Sequence, residues 1–385
     1  MPSLGFNVES LKKLGAFYTG NEIANQPSLW LKVYQQLCNE KESIQHFLLK
    51  ALSEANKIIL TGAGTSAYIG LSLQGTFNRR LDVHTEAVAT TDLVSHPSDY
   101  FFRHETLLLI SFARSGNSPE SSAAVSLADK LCGKCYHLII TCDAEGQLAH
   151  TRSLSPKFIV VLPPESNDQS LAMTGSYSGM LLAGFLIAGL REIDRFRKPV
   201  EILYQYGSRI INTYSTRLRE VAALPFKRAV FLGSGPFFGT ATESQLKLQE
   251  LTDGNIICKN DSYLGLRHGP KAVVDENTLV VFIFSNNAYV QKYERDLVLS
   301  MDKGKKPQYT LGIFESPMEG LKFDLEIQLS ENGNHLEEEL LTVCDVLPGQ
   351  LLGFYKSIAL GLKPDTPSMS GAISRVVEDV KIYDY

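Results

Sequence analysis

The chain has 385 residues, 44% of them hydrophobic, which is enough for two ordinary domains with substantial cores. Its 42 acidic and 37 basic residues give a formal charge of -5 with no basic block to neutralise a nucleic-acid backbone, so nucleic acid is not an expected partner. The opening MPSLGFNVES lacks a charged-then-apolar leader pattern, and the longest apolar stretch, MLLAGFLIAGL, is too short and glycine-broken to span a bilayer, so a cytoplasmic protein without membrane attachment is expected.

The first stretch, PSLWLKVYQQLCNEKESIQHFLLKALSEAN, places apolar residues at helical spacing and predicts one or two helices within an N-terminal segment, residues 1–44. The period then changes. KIILTGAG is a short β-branched run ending in glycines, and AYIGLSLQGTFN returns to a helical pattern, together a strand-loop-helix unit of the kind that builds a parallel sheet. ETLLLISF, the loop ARSGNSPES and AAVSLA repeat this handover. Cys132-Gly-Lys-Cys135 follows, before the strand CYHLIIT. A zinc site would want a second pair at matching spacing, which is lacking, so a Gly-Lys turn is the simpler account of the C-x-x-C than a redox or metal role. Six scattered cysteines are too few for a disulfide scaffold and are expected as free thiols.

Further on, RAVFLGSGPFFGTATESQLKLQE repeats strand, Gly-x-Gly and helix, so that Gly62 and Gly64 answer to Gly233 and Gly235 at an offset of 171. ETLLLISF from Glu105 and NTLVVFIF from Asn277 keep nearly the same offset, 172, as do YHLIITC and QYTLGIF. Three elements in one register predict a tandem duplication: two three-layer αβα domains with doubly wound parallel sheets, at residues 45–200 and 210–362. Pro199 and the helical stretch VEILYQYGSRIINTYSTRLREVAAL mark the boundary between them, and residues 363–385 form a tail.

The copies differ at one loop. Where the first has SFARSGNSPES, the second has IFSNNAYVQKY, with no glycine and fewer hydroxyls, so the serines are not needed merely to connect strand to helix. Small hydroxyl residues at helix N-termini add donors to the unpaired backbone N–H groups and the positive end of the helix dipole, which suits a phosphate. Thr65 and Ser66 at one strand end, with Ser115 and Ser118 at the next, would face one crevice. Alternatively, Thr65 and Ser118 only cap their helices. Neither loop has the third glycine of a dinucleotide motif or a G-K-[ST], so a small phosphorylated metabolite is the expected ligand. In the second copy Glu243, Lys247 and Glu250 fall at i, i+4 and i+7 on one helix face, a pattern that a solvated face with an internal ion pair also explains. Arg267-His268-Gly269-Pro270 places a histidine in a turn.

GAGTSA, RSGNSPES, ESQLKLQE and LRHGP, in this order within two similar α/β domains, resemble the sugar isomerase (SIS) family, as in the isomerase half of glucosamine-6-phosphate synthase, over residues 45–385. The closing GLKPDTPSMSGAISRVVEDVKIYDY and the overall length look more closely like the AgaS proteins of galactosamine catabolism. The resemblance implies that Thr65, Ser66, Arg114, Ser115 and Ser118 bind the phosphate, that Leu171, Ala172 and Met173 contact the sugar, and that Glu243 is a further substrate-binding residue. Glu250 would carry the proton between C1 and C2, Lys247 would be a nearby active-site lysine, and His268 would open the ring, acting across a subunit interface. A homodimer or larger assembly is thereby implied, as is a tail that closes over the site. The chemistry needs no metal and no redox cofactor.

Two departures from the synthase shape the expectation. Nothing resembling a glutaminase domain precedes the first copy, which favours ammonia release over synthesis. The synthase's C-terminal Schiff-base lysine is matched by Arg375, which cannot form an imine and is left to hold phosphate or a hydroxyl; Lys247 is then the one nearby candidate for an imine. The expected activity is conversion of galactosamine 6-phosphate to tagatose 6-phosphate and ammonia. The alternatives are a glucosamine-6-phosphate deaminase, a tagatose-6-phosphate aldose-ketose isomerase, or a non-catalytic sugar-phosphate sensor.

Overall fold

Runs such as KIILT and TLLLISFA are too uniformly apolar for a sheet with one wet face, and both faces are covered. A computed structural model describes residues 4–301, 303–377 and 380–385; residues 1–3 and 378–379 of the expected terminal segments lie outside these. One sheet consists of β1 (Lys57–Thr61), β2 (Thr85–Ala87), β3 (Thr106–Ala113), β4 (Lys134–Thr141) and β5 (Lys157–Val161), in the order β2-β1-β3-β4-β5. All four ladders are parallel. On one face, Leu107 and Leu109 of β3 and Ile139 of β4 pack with Ala124, Val125 and Ala128 of the helix Pro119–Leu131, the two-residue alternation of a strand meeting the stripe of a helix.

The apolar run near Met180 forms the helix Gly175–Ala188, every residue of which is buried, so its hydrophobicity is that of a core helix. A Cβ on its Gly184 would lie 2.4 Å from Leu73 of the helix Thr65–Leu81, and that clearance sets how closely the two helices approach. Among the described residues, no helix is long and apolar enough to cross a membrane.

The second sheet consists of β6 (Arg228–Leu232), β7 (Ile257–Asp261), β8 (Thr278–Ile283), β9 (Tyr309–Phe314) and β10 (Leu325–Gln328), again wholly parallel. Its order, β10-β9-β8-β6-β7, repeats that of the first sheet strand for strand with β6 in the place of β1. The expected pair of doubly wound αβα domains is therefore observed. Contacts divide the chain into a first unit of Ser28–Asp168, Gly175–Val200 and Ile373–Tyr385, which holds β1 to β5, and a second unit of residues up to Pro27, Gln169–Thr174 and Glu201–Ala372, which holds β6 to β10. The segments 1–44 and 363–385 are thus shared out between the units, and the helix Phe17–Asn39 passes from one to the other.

In the second unit, burial pushes the Glu294 carboxyl up to about 8, against the Ser285 backbone N–H that donates to it at 3.1 Å and with help from Glu338. A carboxyl raised in the folded state favours folding most when protonated, so its contribution is fully present below the ordinary glutamate value and is lost as the pH climbs to about 8. Denaturant unfolding at pH 5 and pH 8.5 should therefore show a steeper loss of stability for the native chain than for Glu294→Gln; parallel losses would mean that Glu294 ionises freely.

Candidate active site

In the first unit the carboxyl ends of β1 and β3 meet where the strand order reverses, the position at which open α/β sheets take ligands. After β1 the chain turns through Gly62-Ala63-Gly64 into the helix Thr65–Leu81. A Cβ on Gly62 would sit 2.6 Å from the Ser66 backbone carbon, and Gly64 has φ +55°, so both positions require glycine. After β3 the loop Arg114–Ser118 leads into the helix Pro119–Leu131, with Gly116 at φ +65° and its carbonyl accepting from the Leu148 N–H at 2.8 Å. Thr65, Ser66, Arg114 and Ser115 are buried, and Ser118 is half-buried. Capping does not account for the hydroxyls: Gly64 occupies the cap of the first helix, and Ser118, which caps the second, makes no side-chain capping hydrogen bond. Arg114 donates from Nη2 to the carbonyl of Arg375.

Three further hydroxyls come to this sheet edge. Thr61 and Ser111 are direct cross-strand partners at the ends of β1 and β3, and the Thr90 N–H donates to Gly62 O at 2.9 Å. All three side-chain oxygens are buried without a hydrogen-bond partner among the described residues, and such orphans cost about 1–3 kcal/mol each unless a ligand or water satisfies them. The sequence reading passed over Thr61 and Thr90, because only the parallel register reveals that their hydroxyls gather there.

In the second unit the helix Phe237–Leu251 starts in the same way, after Gly233 and Gly235. The solvated-face reading of its charged residues fails. Glu243 and Lys247 are fully buried, and the side chain of Glu250 is 24% exposed. Lys247 Nζ lies 2.6 Å from Glu250 Oε2 and 3.4 Å from Glu243 Oε1. Burial alone would pull the Lys247 ammonium down, but the two carboxylates outweigh it and hold the group above its ordinary value. An ammonium clamped in this way is not a free amine, so the one remaining candidate for an imine is tied up as a cation. Its enclosure comes from a second helix, Leu347–Ala359: Cβ atoms on Gly349 and Gly353 would fall 2.5 Å from Ser244 and 2.8 Å from Lys247 O, so glycines let the backbones close over the ion pairs.

His268 is exposed in the turn after the short helix Tyr263–Leu266, and its ring has no hydrogen-bond partner among the described residues. Leu171–Met173 lie in the segment Gln169–Thr174 of the second unit, where the Leu171 N–H donates to Asp365 O at 3.1 Å, and Ala172 O accepts from Ser170 Oγ at 3.0 Å. Arg375 spends its guanidinium on protein groups. Nε and Nη2 donate to Asp168 O at 3.0 and 2.6 Å, and Nη2 also donates to Asn167 Oδ1 at 2.9 Å, which fastens the tail to the first unit.

Residues 51–188 match the SIS domain model. D-galactosamine-6-phosphate deaminase AgaS from Shewanella sp. (strain ANA-3) is 38% identical, with 100% of this chain and 96% of that protein covered. Two crystal structures are similar. One, from Clostridium novyi NT and named provisionally as a tagatose-6-phosphate ketose/aldose isomerase, has a TM-score of 0.96 at 39% identity and covers all of both chains. The other, tagatose-6-phosphate ketose/aldose isomerase from Escherichia coli, has a TM-score of 0.85 at 32% identity over 96% of this chain and 97% of its own.

Removing the cation tests the clamp directly. Lys247→Met should leave two carboxylates uncompensated and lower the unfolding free energy by about 3–5 kcal/mol in urea titrations, whereas a solvated face would shift it by less than about 0.5 kcal/mol.

Proposed function

The chain belongs to the sugar isomerase (SIS) family, and from that membership and the clamped lysine of its helix Phe237–Leu251 we propose that it converts galactosamine 6-phosphate and water into tagatose 6-phosphate and ammonia. The observation that carries the reading is the difference within the triad: Glu243 and Lys247 are sealed, and Glu250 alone is in part exposed, so one carboxylate is held firmly by a buried cation yet remains within reach of a substrate.

Each role follows from the chemistry. The dianionic 6-phosphate is held by the hydroxyls and backbone N–H groups of Thr65, Ser66, Ser115 and Ser118 at two helix N-termini, with Arg114 as the cation of the loop. Leu171–Met173 line the sugar. Ring opening takes a proton from the anomeric hydroxyl and returns one to the ring oxygen, a task for the His268 imidazole, which can accept a proton on one nitrogen and donate one from the other; as in the synthase, it would act across a homodimer interface. The Glu250 carboxylate then removes the C2 proton of the open aldehyde to give an enolamine and delivers that proton to C1, which leaves a C2 imine. Water adds to the imine and the C–N bond breaks, releasing ammonia and the ketose. Lys247 stays an ammonium throughout and positions Glu250. Arg375 secures the tail instead of taking the place of an imine-forming lysine.

The names of the relatives favour a second reading, aldose-ketose isomerisation without loss of nitrogen, because the two structures described above are called tagatose-6-phosphate isomerases. One assay separates the two: ammonia release measured with galactosamine 6-phosphate and, separately, with glucosamine 6-phosphate. Release from the galacto substrate in preference to the gluco one is expected. Ammonia from neither, together with conversion of tagatose 6-phosphate to an aldose, would establish the second reading. Glu250→Gln should lower kcat by about 10²–10⁴-fold with the fold retained; undiminished turnover would remove Glu250 from the proton transfer.

A further inference from the structure

Asp129, Cys132, Cys135 and His137 occupy a stretch of nine residues, and the fold gathers Asp129, Cys135 and His137 at the amino end of β4, with Cys132 at the adjoining helix end, at the end of the sheet opposite the hydroxyl-rich loops. Asp129 lies in the last turns of the helix Pro119–Leu131. Cys132 ends that helix in an extended conformation, with its N–H on Ala128 O. Gly133 makes the turn where a Cβ would meet Arg103 O at 2.3 Å, and Cys135 and His137 then project from the same face of β4. A carboxylate oxygen of Asp129, Sγ of Cys135 and a ring nitrogen of His137 lie within 4.8 Å of one another. The Cys135 thiol donates to Ala128 O, 3.2 Å away in the last turns of the helix. A strand imidazole thus adds a donor to those of the C-x-x-C, and a helix carboxylate holds that ring.

The imidazole gives an independent pointer. His137 is fully buried; its Nε2 lies 2.8 Å from Asp129 Oδ1, and its Nδ1 has no hydrogen-bond partner. Asp129 Oδ1 also accepts from Ser155 Oγ at 2.6 Å, which fixes the carboxylate that holds the ring. A carboxylate on one imidazole nitrogen, with the other nitrogen bare and buried, is the arrangement that orients a metal-binding histidine.

We propose that Cys132, Cys135 and His137 bind one divalent cation of the zinc class, with Asp129 as the carboxylate that orients the imidazole. Two thiolates and one imidazole are a soft donor set that selects zinc over magnesium or calcium. Binding replaces the two thiol protons, which leave to solvent, and involves no change of oxidation state. The role is structural. The metal joins the carboxyl end of the helix Pro119–Leu131 to β4, and the amino end of that same helix carries Ser118 of the proposed phosphate loop.

The test uses tag-free full-length protein, stripped with a chelator, with its six thiols reduced and counted. Cobalt(II) titration should give one equivalent per chain with a thiolate-to-metal charge-transfer band in the near ultraviolet, and zinc should displace it. Cys132→Ser, at a half-buried position, should keep the far-ultraviolet dichroism and lose most of the band. Asp129→Asn should weaken binding by about 10–100-fold while keeping the band at saturation. Absence of the band from the reduced native protein, or equal affinity in Cys132→Ser, would overturn the site. Loss of two thiols to oxidised glutathione in a protein that takes up no cobalt would overturn it in favour of a redox disulfide. Ammonia release is a separate readout, so failure of the proposed activity leaves this result intact, and the converse holds.

Discussion

A single buried ammonium organises the second unit of this protein. Lys247 has no solvent to stabilise its charge, and a lone ammonium in such a place would deprotonate or prevent folding. Two carboxylates on the same helix, one turn before it and one after, make the burial tolerable. They are useful to Lys247 only because water is kept out, and water is kept out by a helix that has glycine at each point of closest approach. A run of charged residues, Gly349 and Gly353 of a later helix and the exposed edge of Glu250 are therefore one device. Its effect is to present a carboxylate whose position is set by a cation that cannot leave.

The duplication explains how the other half came to specialise. Both sheets have the same strand order, and both copies turn out of their first strand through Gly-x-Gly with the second glycine at positive φ. One copy kept small hydroxyls at its strand ends, and the other filled its helix with buried charge. Neither feature is needed to make the fold, because each copy folds without the feature of the other. The scaffold supplies the place, the carboxyl edge of a parallel sheet, and the residues supply the chemistry.

Much of this was legible in the residues. Apolar runs of five to eight bounded by glycine gave the strands, and the common offset of Gly62 with Gly233 and Glu105 with Asn277 gave the repeat. The register of Thr61 against Ser111 could not be read, because this parallel pairing joins residues 50 positions apart and leaves no local pattern. The depth of Lys247 was hidden for a different reason: charges at i, i+4 and i+7 look alike on a wet surface and in a core, and only the partner helix distinguishes them. The same holds for Asp129 and His137, whose relation to the two cysteines depends on a helix end and a strand start being side by side.

The anchoring of Arg375 has a temporal meaning as well. The loop that begins with Arg114 is made early in synthesis, yet the carbonyl its guanidinium reaches belongs to Arg375, 261 residues later. That residue is made after the last strand of either sheet, which ends at Gln328. The guanidinium of Arg114 acquires this partner only after the strands of both sheets have been made, so the proposed phosphate loop is completed by a segment later than either sheet.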